Sequence, residues 1–431
     1  MQQPIVNPQL EVLPFDSDSA EPMALCVLPL ASGDHVRYAV PRAVVDLLEL
    51  FDGWRTVDEA IAAYRQRHAE YHTDERLRQL LDTFLMPKGL VLCDAESRVE
   101  IRRRDDYRRS FLYLQLPLIT SRLVNPIANA CKWAFHRPVM IASLIAFVAM
   151  HIYFYGALVP GYDLAVNQLS FGNILMLMLL STIGTFAHEF GHASAAAFYG
   201  CKRLQIGWGL YILFAVLYTD VSDAWKLPRR QRAVVDLGGV YFQSFFLAAM
   251  LALFAATGQT IYLFAFLFSD IGIATSFNPF LRLDGYWLLS DAFGILNLRQ
   301  QSLRLLRRGA GRLIGRKPKG DSGLSRRATA VLAGYSFLSL FFFFYLVKLL
   351  YDRVATPLFI AYPEMLADLW LNARQSIGMM QLAGDAMEIL WRTLMLAGFG
   401  VLLFNVLRTI GKGLARLFSR SAILPSGAPA A

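Results

Sequence analysis

The sequence contains few charged residues and few cysteines. Of the 431 residues, 17% are Asp, Glu, Lys or Arg and 55% are hydrophobic, and the mean hydropathy is +0.40. This composition excludes an ordinary soluble protein of two or three domains. The four cysteines, Cys26, Cys93, Cys131 and Cys201, form no CxxC pair. They therefore indicate neither a disulfide framework nor a thiolate metal site, and a reducing compartment suits them.

The first residues also lack the pattern of a secretory signal. The segment MQQPIVNPQLEVLPFD has neither a basic n-region nor an apolar h-region, and the first long apolar run starts near Pro138. We therefore expect no cleavable signal peptide.

The net charge of +9 is unevenly distributed. In residues 1–100 the acidic residues outnumber the basic ones about two to one, and the positive excess follows later, beside apolar runs. Basic residues flanking apolar runs are typical of the cytoplasmic ends of membrane helices. We therefore predict contact with membrane lipid and no nucleic-acid partner.

Six apolar runs are long enough to cross a bilayer. They lie at about 138–159, 171–198, 233–256, 260–280, 328–350 and 388–407. Lys and Arg concentrate in the segments 102–137, 200–232 and 299–327, which the positive-inside rule places in the cytoplasm. The sequence thus predicts a multi-pass α-helical membrane protein with about six transmembrane helices and both termini in the cytoplasm. The apolar stretch 204–221 fits this topology only as a re-entrant strand or hairpin.

Residues 23–102 are expected to form a small cytoplasmic α/β domain. ALCVLPL and VRYAV flank Gly33-Asp34, which is a hairpin signal. Three helices are predicted to follow, and Thr56 with Glu59 forms a capping box at the second. GLVLCD and SRVEIRR are expected to pair as a closing hairpin. This order of three helices and strand pairs is typical of a winged-helix-like domain.

This domain resembles the leader-peptide recognition domain of pathways that make peptides on the ribosome, which is related to the small peptide chaperone of pyrroloquinoline quinone biosynthesis. The resemblance lies in FDGWRTVDEAIAAY and the later KGLV. It implies that a peptide adds as a strand to the sheet edge beside the third helix. DNA binding is the alternative for a winged helix, and the acidic balance counts against it.

The stretch TFAHEFGHAS, residues 185–194, places three polar side chains inside an apolar run. His188 and His192 are four residues apart, so on a helix they share one face and can hold one zinc ion. Glu189 would face the fourth metal position, where it can take a proton from zinc-bound water. An unpaired carboxylate in a membrane helix costs about 2.5 kcal/mol or more, which favours a metal site over an accidental match.

A third ligand is available in SFNPFLRLDGYWLL, residues 276–289. Asp284 is a hard oxygen ligand beside Gly285, and Asn278-Pro279 breaks the preceding helix, so that backbone can approach the site. The alternative for Asp284 is a solvated helix cap. His136 and His151 have no partnering motif, and we interpret them as interfacial or packed residues.

HEFGH on one span, Gly-Gly opening the next and NPFLRLDGYW after a third resemble the site-2 protease family of intramembrane zinc metalloproteases, in particular its peptide zinc metalloprotease branch. The resemblance implies that His188, His192 and Asp284 bind Zn²⁺ and that Glu189 is the general base. It also implies a three-helix core, at about 171–198, 233–256 and 260–280, and a strand edge offered to the substrate between the first two helices. Many members have Gly-Pro-x-x-Asn where this chain has Gly239 to Gln243. Gln243 and Asn278 are candidates for substrate or oxyanion support.

These interpretations divide the chain into five parts. They are a flexible N-terminus (1–22), the peptide-recognition domain (23–102), a basic connector (103–136), the intramembrane metalloprotease domain (137–410) and a cytoplasmic tail (411–431). We expect a zinc endopeptidase of the bacterial inner membrane that cleaves a membrane-associated or leader-bearing precursor peptide. The alternatives are regulated proteolysis of a membrane-bound signalling protein and a non-proteolytic peptide-binding or escort protein. The oligomeric state is left open.

Overall fold

The computed structural model describes most of the chain up to residue 352. The described residues are 3–352, apart from 20, 30–34, 69–72, 93–111, 163, 165–169, 212–213 and 314–323, together with scattered positions between 363 and 408. The chain divides into two compact units, with the boundary between Leu332 and Ala333. All elements that surround the candidate site belong to the first unit.

The N-terminal part is a small α/β domain. Its elements are β1 (Ile5–Val6), β2 (Glu11–Phe15), β3 (Met23–Pro29), β4 (His35–Pro41), α1 (Arg42–Leu48), α2 (Val57–Arg67), α3 (Asp74–Leu80) and β5 (Val91–Leu92). Strands β2, β3 and β4 form an antiparallel sheet, and β1 pairs with β5. The predicted β3–β4 hairpin is confirmed. So is the capping box, in which the side chains of Thr56 and Glu59 each accept a hydrogen bond from the backbone of the other.

Residues 1–22 differ from the expectation of a flexible terminus. They contain β1 and β2, and Phe15 at the end of β2 is buried. Pro14 in the middle of EVLPF argues against a strand in the sequence alone, but β2 is an edge strand, where a missing N–H is tolerated. The predicted closing hairpin appears only as β5, because its second half lies outside the described residues.

The basic connector also has more structure than expected. It contains β6 (Leu112–Ile119) and α4 (Ser121–Cys131), followed by a 3₁₀ turn at Lys132–Phe135. The buried face of α4, which includes Val124 and Ala128, belongs to the same apolar cluster as the alanines near the end of the HEFGH helix. The part of the connector from Leu112 to Phe135 therefore belongs to the folded unit.

Long apolar helices make up the next part of the chain. The helices after the connector are α5 (Arg137–Tyr153), α6 (Phe171–Phe198), α7 (Arg229–Thr257), α8 (Ile261–Ser276), α9 (Asp284–Phe293), α10 (Leu298–Leu313) and α11 (Arg326–Leu350). Among the described residues, four helices are long and apolar enough to cross a membrane: 137–161, 172–198, 229–257 and 326–345. The run predicted at 260–280 forms α8, a shorter apolar helix, and the run at 388–407 lies mostly outside the described residues. The number of six spans stays a prediction.

The apolar stretch 204–221 forms a hairpin, which is one of the two arrangements that the predicted topology allowed. Strands β7 (Gln205–Tyr211) and β8 (Phe214–Asp220) pair antiparallel, and β6 adds to the other edge of β7. The order β6-β7-β8 leaves β8 at one edge of the sheet.

Helices α6 and α7 approach each other very closely at the level of HEFGH. A Cβ atom added to Gly191 would lie 2.1 Å from the carbonyl oxygen of Gly238, and one added to Gly238 would lie 2.6 Å from that of Gly191. Only glycine allows backbones to meet at this distance. The contact brings the histidine face of α6 against α7.

Candidate metal centre

Three predicted ligands converge at one point. His188 and His192 lie on one face of α6, and Asp284 is the first residue of α9. His188 Nε2 lies 2.9 Å from Asp284 Oδ2 and 3.1 Å from His192 Nε2, and His192 Nε2 lies 3.5 Å from Asp284 Oδ1. Among the described residues this is the group that could hold a metal ion. The structure therefore brings together the ligand set that the sequence predicted.

The hydrogen bonds of the two Nδ1 atoms determine the protonation of the Nε2 atoms that face the centre. His192 Nδ1 lies 2.8 Å from the carbonyl oxygen of Val235, which can only accept a hydrogen bond, so Nδ1 carries the proton. His188 Nδ1 lies 3.0 Å from Gln243 Oε1 and donates to it in the same way. With both Nδ1 atoms protonated, neutral imidazoles present bare lone pairs at Nε2. In this tautomer two lone pairs and a carboxylate face one another, and a bound metal cation would stabilise that arrangement.

Asp284 lies where the bend after α8 ends and α9 begins. Gly285 beside it is needed for close packing, because a Cβ there would lie 2.2 Å from the carbonyl oxygen of Phe277. The bend after α8 therefore places Asp284, the first residue of α9, beside the two histidines.

Gly239 makes room for the centre on the α7 side. A Cβ atom at this position would lie 2.4 Å from His188 Nε2 and 2.5 Å from His192 Nε2. Any side chain here would compete with a metal ion for its ligands.

Glu189 is buried beside the ligands and is oriented by the hairpin. The Thr219 hydroxyl donates a hydrogen bond of 2.6 Å to Glu189 Oε2. Thr219 belongs to β8, so the candidate general base is tied to the edge strand. No local pattern in the sequence pointed to Thr219, because 30 residues separate it from Glu189.

Gln243 and Asn278, the candidates for substrate or oxyanion support, both have hydrogen-bond partners within the protein. The Gln243 amide accepts from His188 and donates to the carbonyl oxygen of Ser269 at 3.3 Å, so both of its ends are engaged. Asn278 Oδ1 accepts from the backbone N–H of Phe280 and caps the bend before α9. The geometry of Gln243 favours orientation of a ligand over contact with substrate, and the role of Asn278 stays a prediction.

A cavity of about 660 Å³ opens beside the centre. Its walls include Glu189, His192 and Asp284, strand β8 from Val216 to Thr219, and Trp225. It also holds two carboxylates that the sequence analysis did not single out, those of Asp236 and Asp291. Asp236 is the one charged residue of the apolar run 233–256, but no recognised motif includes it.

The N-terminal domain contacts the wall of this cavity. The Phe15 ring at the end of β2 stacks on Trp225, with a centroid distance of 5.8 Å, and it also packs under the guanidinium of Arg232 at 4.8 Å. An ion pair of 3.8 Å joins Arg37 of β4 to Asp223. The domain is therefore in contact with the site.

His151, interpreted as a packed residue, has polar partners. Its Nε2 lies 3.0 Å from Asp270 Oδ1, and its Nδ1 lies 2.7 Å from the carbonyl oxygen of Phe147. The Tyr155 hydroxyl donates to Asp270 Oδ2. These contacts join α5 and the helical turn after it (Phe154–Leu158) to α8.

Comparisons of the chain with protein-family models, with curated proteins and with solved structures give no match, so both family resemblances remain predictions that rest on the sequence motifs.

Proposed function

We propose that the protein is a zinc-dependent endopeptidase of the bacterial inner membrane. The observation that carries the proposal is the convergence of His188 Nε2, His192 Nε2 and an Asp284 oxygen, with Glu189 buried beside them. Two imidazoles and one carboxylate are a donor set typical of catalytic zinc sites with an open fourth position. Calcium and magnesium prefer sites made of oxygen ligands.

The spacing of the donors fits zinc. With bonds of 2.0–2.1 Å, donors on a tetrahedral ion are about 3.3 Å apart. The three donor separations here are 2.9, 3.1 and 3.5 Å. A zinc ion bound there would supply a Lewis acid that polarises the scissile carbonyl group.

The side chains divide the remaining work. Glu189, held by Thr219, is positioned to take a proton from the attacking water and to give it to the leaving amine. Gln243 and the Val235 carbonyl keep the imidazoles in the tautomer that binds metal. The low exposure of His188, Glu189 and His192 limits the water around them, which strengthens each of these interactions.

Strand β8 is proposed to hold the substrate. It is an edge strand, and no other strand among the described residues pairs with its free edge. Residues 216–219 line the cavity. A peptide that adds to this edge would be held in the extended conformation that hydrolysis requires. Its backbone hydrogen bonds would not depend on its side chains.

The proposed substrate is a membrane-associated or leader-bearing precursor peptide recognised by residues 23–102. Two contacts support a role of this domain in presenting a peptide: the ion pair of Arg37 in β4 with Asp223, and the stacking of Phe15 in the adjoining β2 on Trp225 of the cavity wall. The four apolar helices and the basic segments beside them support a membrane location with cytoplasmic termini.

A zinc and cleavage assay tests the function. The full-length protein in detergent should hold one zinc ion per chain by mass spectrometry, and His188→Ala and Asp284→Ala should lose it. The wild type should cleave members of a peptide library, whereas Glu189→Gln should keep zinc and lose cleavage. Folded wild-type protein without zinc, or zinc-loaded protein that cleaves no peptide, would shift the interpretation to a peptide-binding or escort protein.

A further inference from the structure

Helix α4 has an exposed apolar face beside its buried one. The buried face, with Val124 and Ala128, packs against the end of α6. Leu123 and Ile127 are one helical turn apart on a neighbouring face, and their side chains are 63% and 44% exposed. Trp133 follows in the 3₁₀ turn after the helix and is 58% exposed. We call Leu123, Ile127 and Trp133 the α4 surface.

The third face of α4 is polar and basic. Its members are spaced by three or four residues and so share one stripe: Arg122, Asn125, Asn129 and Lys132. The two cations are exposed, and Lys132 Nζ donates to Asn129 Oδ1 at 3.3 Å. The segment 112–160 contains no Asp or Glu. The polar face is therefore complementary to anionic groups outside this segment.

Two helices that are long enough to cross a membrane fix the level of α4. A 3₁₀ turn of four residues and His136 connect it to the span that begins at Arg137. On its polar face, Asn125 Nδ2 donates a 2.6 Å hydrogen bond to the carbonyl oxygen of Lys202, just beyond the end of α6 at Phe198. Helix α4 therefore lies where one span begins and the other ends. For spans of 25 and 27 residues, this is the depth of the lipid headgroups.

We propose that α4 is an interfacial helix that lies in the plane of the bilayer surface, with the α4 surface among the upper acyl chains and Arg122 and Lys132 on anionic lipid headgroups. Helices with a basic polar face and Leu or Trp on the apolar face bind membranes in this way. Exposed tryptophan is typical of the same layer. The 11 residues of α4 are too few to cross a bilayer.

A second copy of the chain fits the α4 surface less well than lipid. In a twofold dimer the same patch meets itself, so Arg122 and Lys132 would approach their own counterparts with no acidic residue in the segment to separate them. The exposed apolar surface also continues along the next helix. In α5, Ile141, Leu144 and Ile145 are each more than 60% exposed. A surface that extends along a membrane-spanning helix is covered by lipid.

An interfacial α4 would also hold the β-sheet beside the metal centre at a fixed depth. Strand β6 ends at Ile119 and α4 begins at Ser121. Strand β6 pairs with β7, and β7 pairs with β8, whose residues line the cavity. The anchor and the cavity are therefore joined by one continuous sheet.

Quenching by brominated lipids tests the depth of Trp133. The full-length protein is placed in phosphatidylcholine nanodiscs whose acyl chains carry bromine near the headgroup, near the chain end or not at all. The signal of Trp133 is the difference in fluorescence between the wild type and Trp133→Phe. It should be lost with bromine near the headgroup and largely kept with bromine at the chain end. A signal kept with both lipids, as under a protein partner or in water, would overturn the proposal, and so would stronger quenching from the chain end.

Trp54 provides the matched control for depth. It is 83% exposed in the N-terminal domain, and its signal, measured with Trp54→Phe, should be kept with both brominated lipids. Neither measurement depends on zinc or on cleavage, so a failure of the proposed peptidase function would leave this test unchanged.

Mixed nanodiscs test the preference for anionic lipid. They contain phosphatidylcholine and phosphatidylglycerol in equal parts, with bromine near the headgroup of one lipid at a time. The ratio of the two quenching efficiencies at Trp133 gives the relative binding constant for phosphatidylglycerol, which should exceed one. Arg122→Gln and Lys132→Gln should each lower this constant about fivefold.

Two further variants separate charge from other effects of substitution. Lys132→Arg should keep the preference, and Arg67→Gln, at an exposed position of α2, should leave it unchanged. Equal quenching by the two lipids in the wild type, or an unchanged ratio in both Arg122→Gln and Lys132→Gln, would overturn the role of the cations.

Discussion

The Thr219 hydroxyl donates a 2.6 Å hydrogen bond to the carboxylate of Glu189, so the edge strand β8 and the HEFGH helix are joined at the proposed general base. Because Thr219 also lines the cavity, a peptide that pairs with β8 would lie next to the group that activates water. Thr219 would therefore both line the position of the substrate and orient Glu189.

Thr219→Val should lower kcat about 10- to 100-fold without loss of zinc. A hydrogen bond to a charged group is worth about 1.5–3 kcal/mol, and valine keeps the strand because it is β-branched. Steady-state kinetics and metal analysis measure the two effects. Thr182→Val is the matched control, since the Thr182 hydroxyl donates to the Met178 carbonyl on its own helix. Unchanged kcat in Thr219→Val would show that Glu189 needs no such support.

Gln243→Leu should weaken zinc binding by about 10- to 100-fold, because His188 would lose the acceptor that fixes its tautomer. Competition with a chelator of known affinity measures the change. Gln259→Leu, in an exposed turn after α7, should bind zinc like the wild type. Equal affinities in all three proteins would contradict the orienting role.

Gly239→Ala should abolish zinc binding while the helices persist. The added methyl group would lie 2.4 Å from His188 Nε2, in the space between the ligands. Gly172→Ala on α6 is the control, since a Cβ there meets no atom within 4 Å. Circular dichroism reports the helices and mass spectrometry the zinc. A zinc-loaded Gly239→Ala protein would mean that the ligands gather elsewhere.

Phe15→Ala should loosen the N-terminal domain from the cavity wall. Removal of a buried phenylalanine costs about 3–5 kcal/mol, and Phe15 is buried between Trp225 and Arg232. Hydrogen exchange should rise in segments 11–15 and 222–227 together. Trp54→Ala removes an aromatic ring that is 83% exposed and should change neither segment. Faster exchange in only one of the two segments would argue against docking through Phe15.

The capping box should make α2 sensitive to acid. Hydrogen bonds from the backbone and side chain of Thr56 lower the pKa of Glu59 below its ordinary value of 4.5. A group with a lowered folded-state pKa stabilises the fold above its unfolded pKa, and this stabilisation is lost as the pH falls through the folded value. Hydrogen exchange of residues 57–67 should therefore rise more steeply on acidification in the wild type than in Glu59→Ala. Parallel pH profiles would contradict this linkage.

The sequence by itself determined the elements that depend on local spacing and chemistry. The i, i+4 spacing of His188 and His192 places both rings on one face of any helix, and Asp284 was recognisable because it is a hard ligand beside a helix break. The capping box and the hairpin at 204–221 follow from residue types a few positions apart, and both form. Four of the long apolar runs form helices of membrane-spanning length.

Only the tertiary structure decided which side chains surround the ligands. Gln243 lies 55 residues from His188, and Thr219 lies 30 residues from Glu189. Their hydrogen bonds depend on how closely α6, α7 and β8 approach, and no local pattern records that distance. Strand β2 also depends on a distant segment. Pro14 argues locally against a strand, and β2 forms because it pairs with β3. Periodicity determines which face a residue occupies, whereas packing of distant segments determines what that face meets.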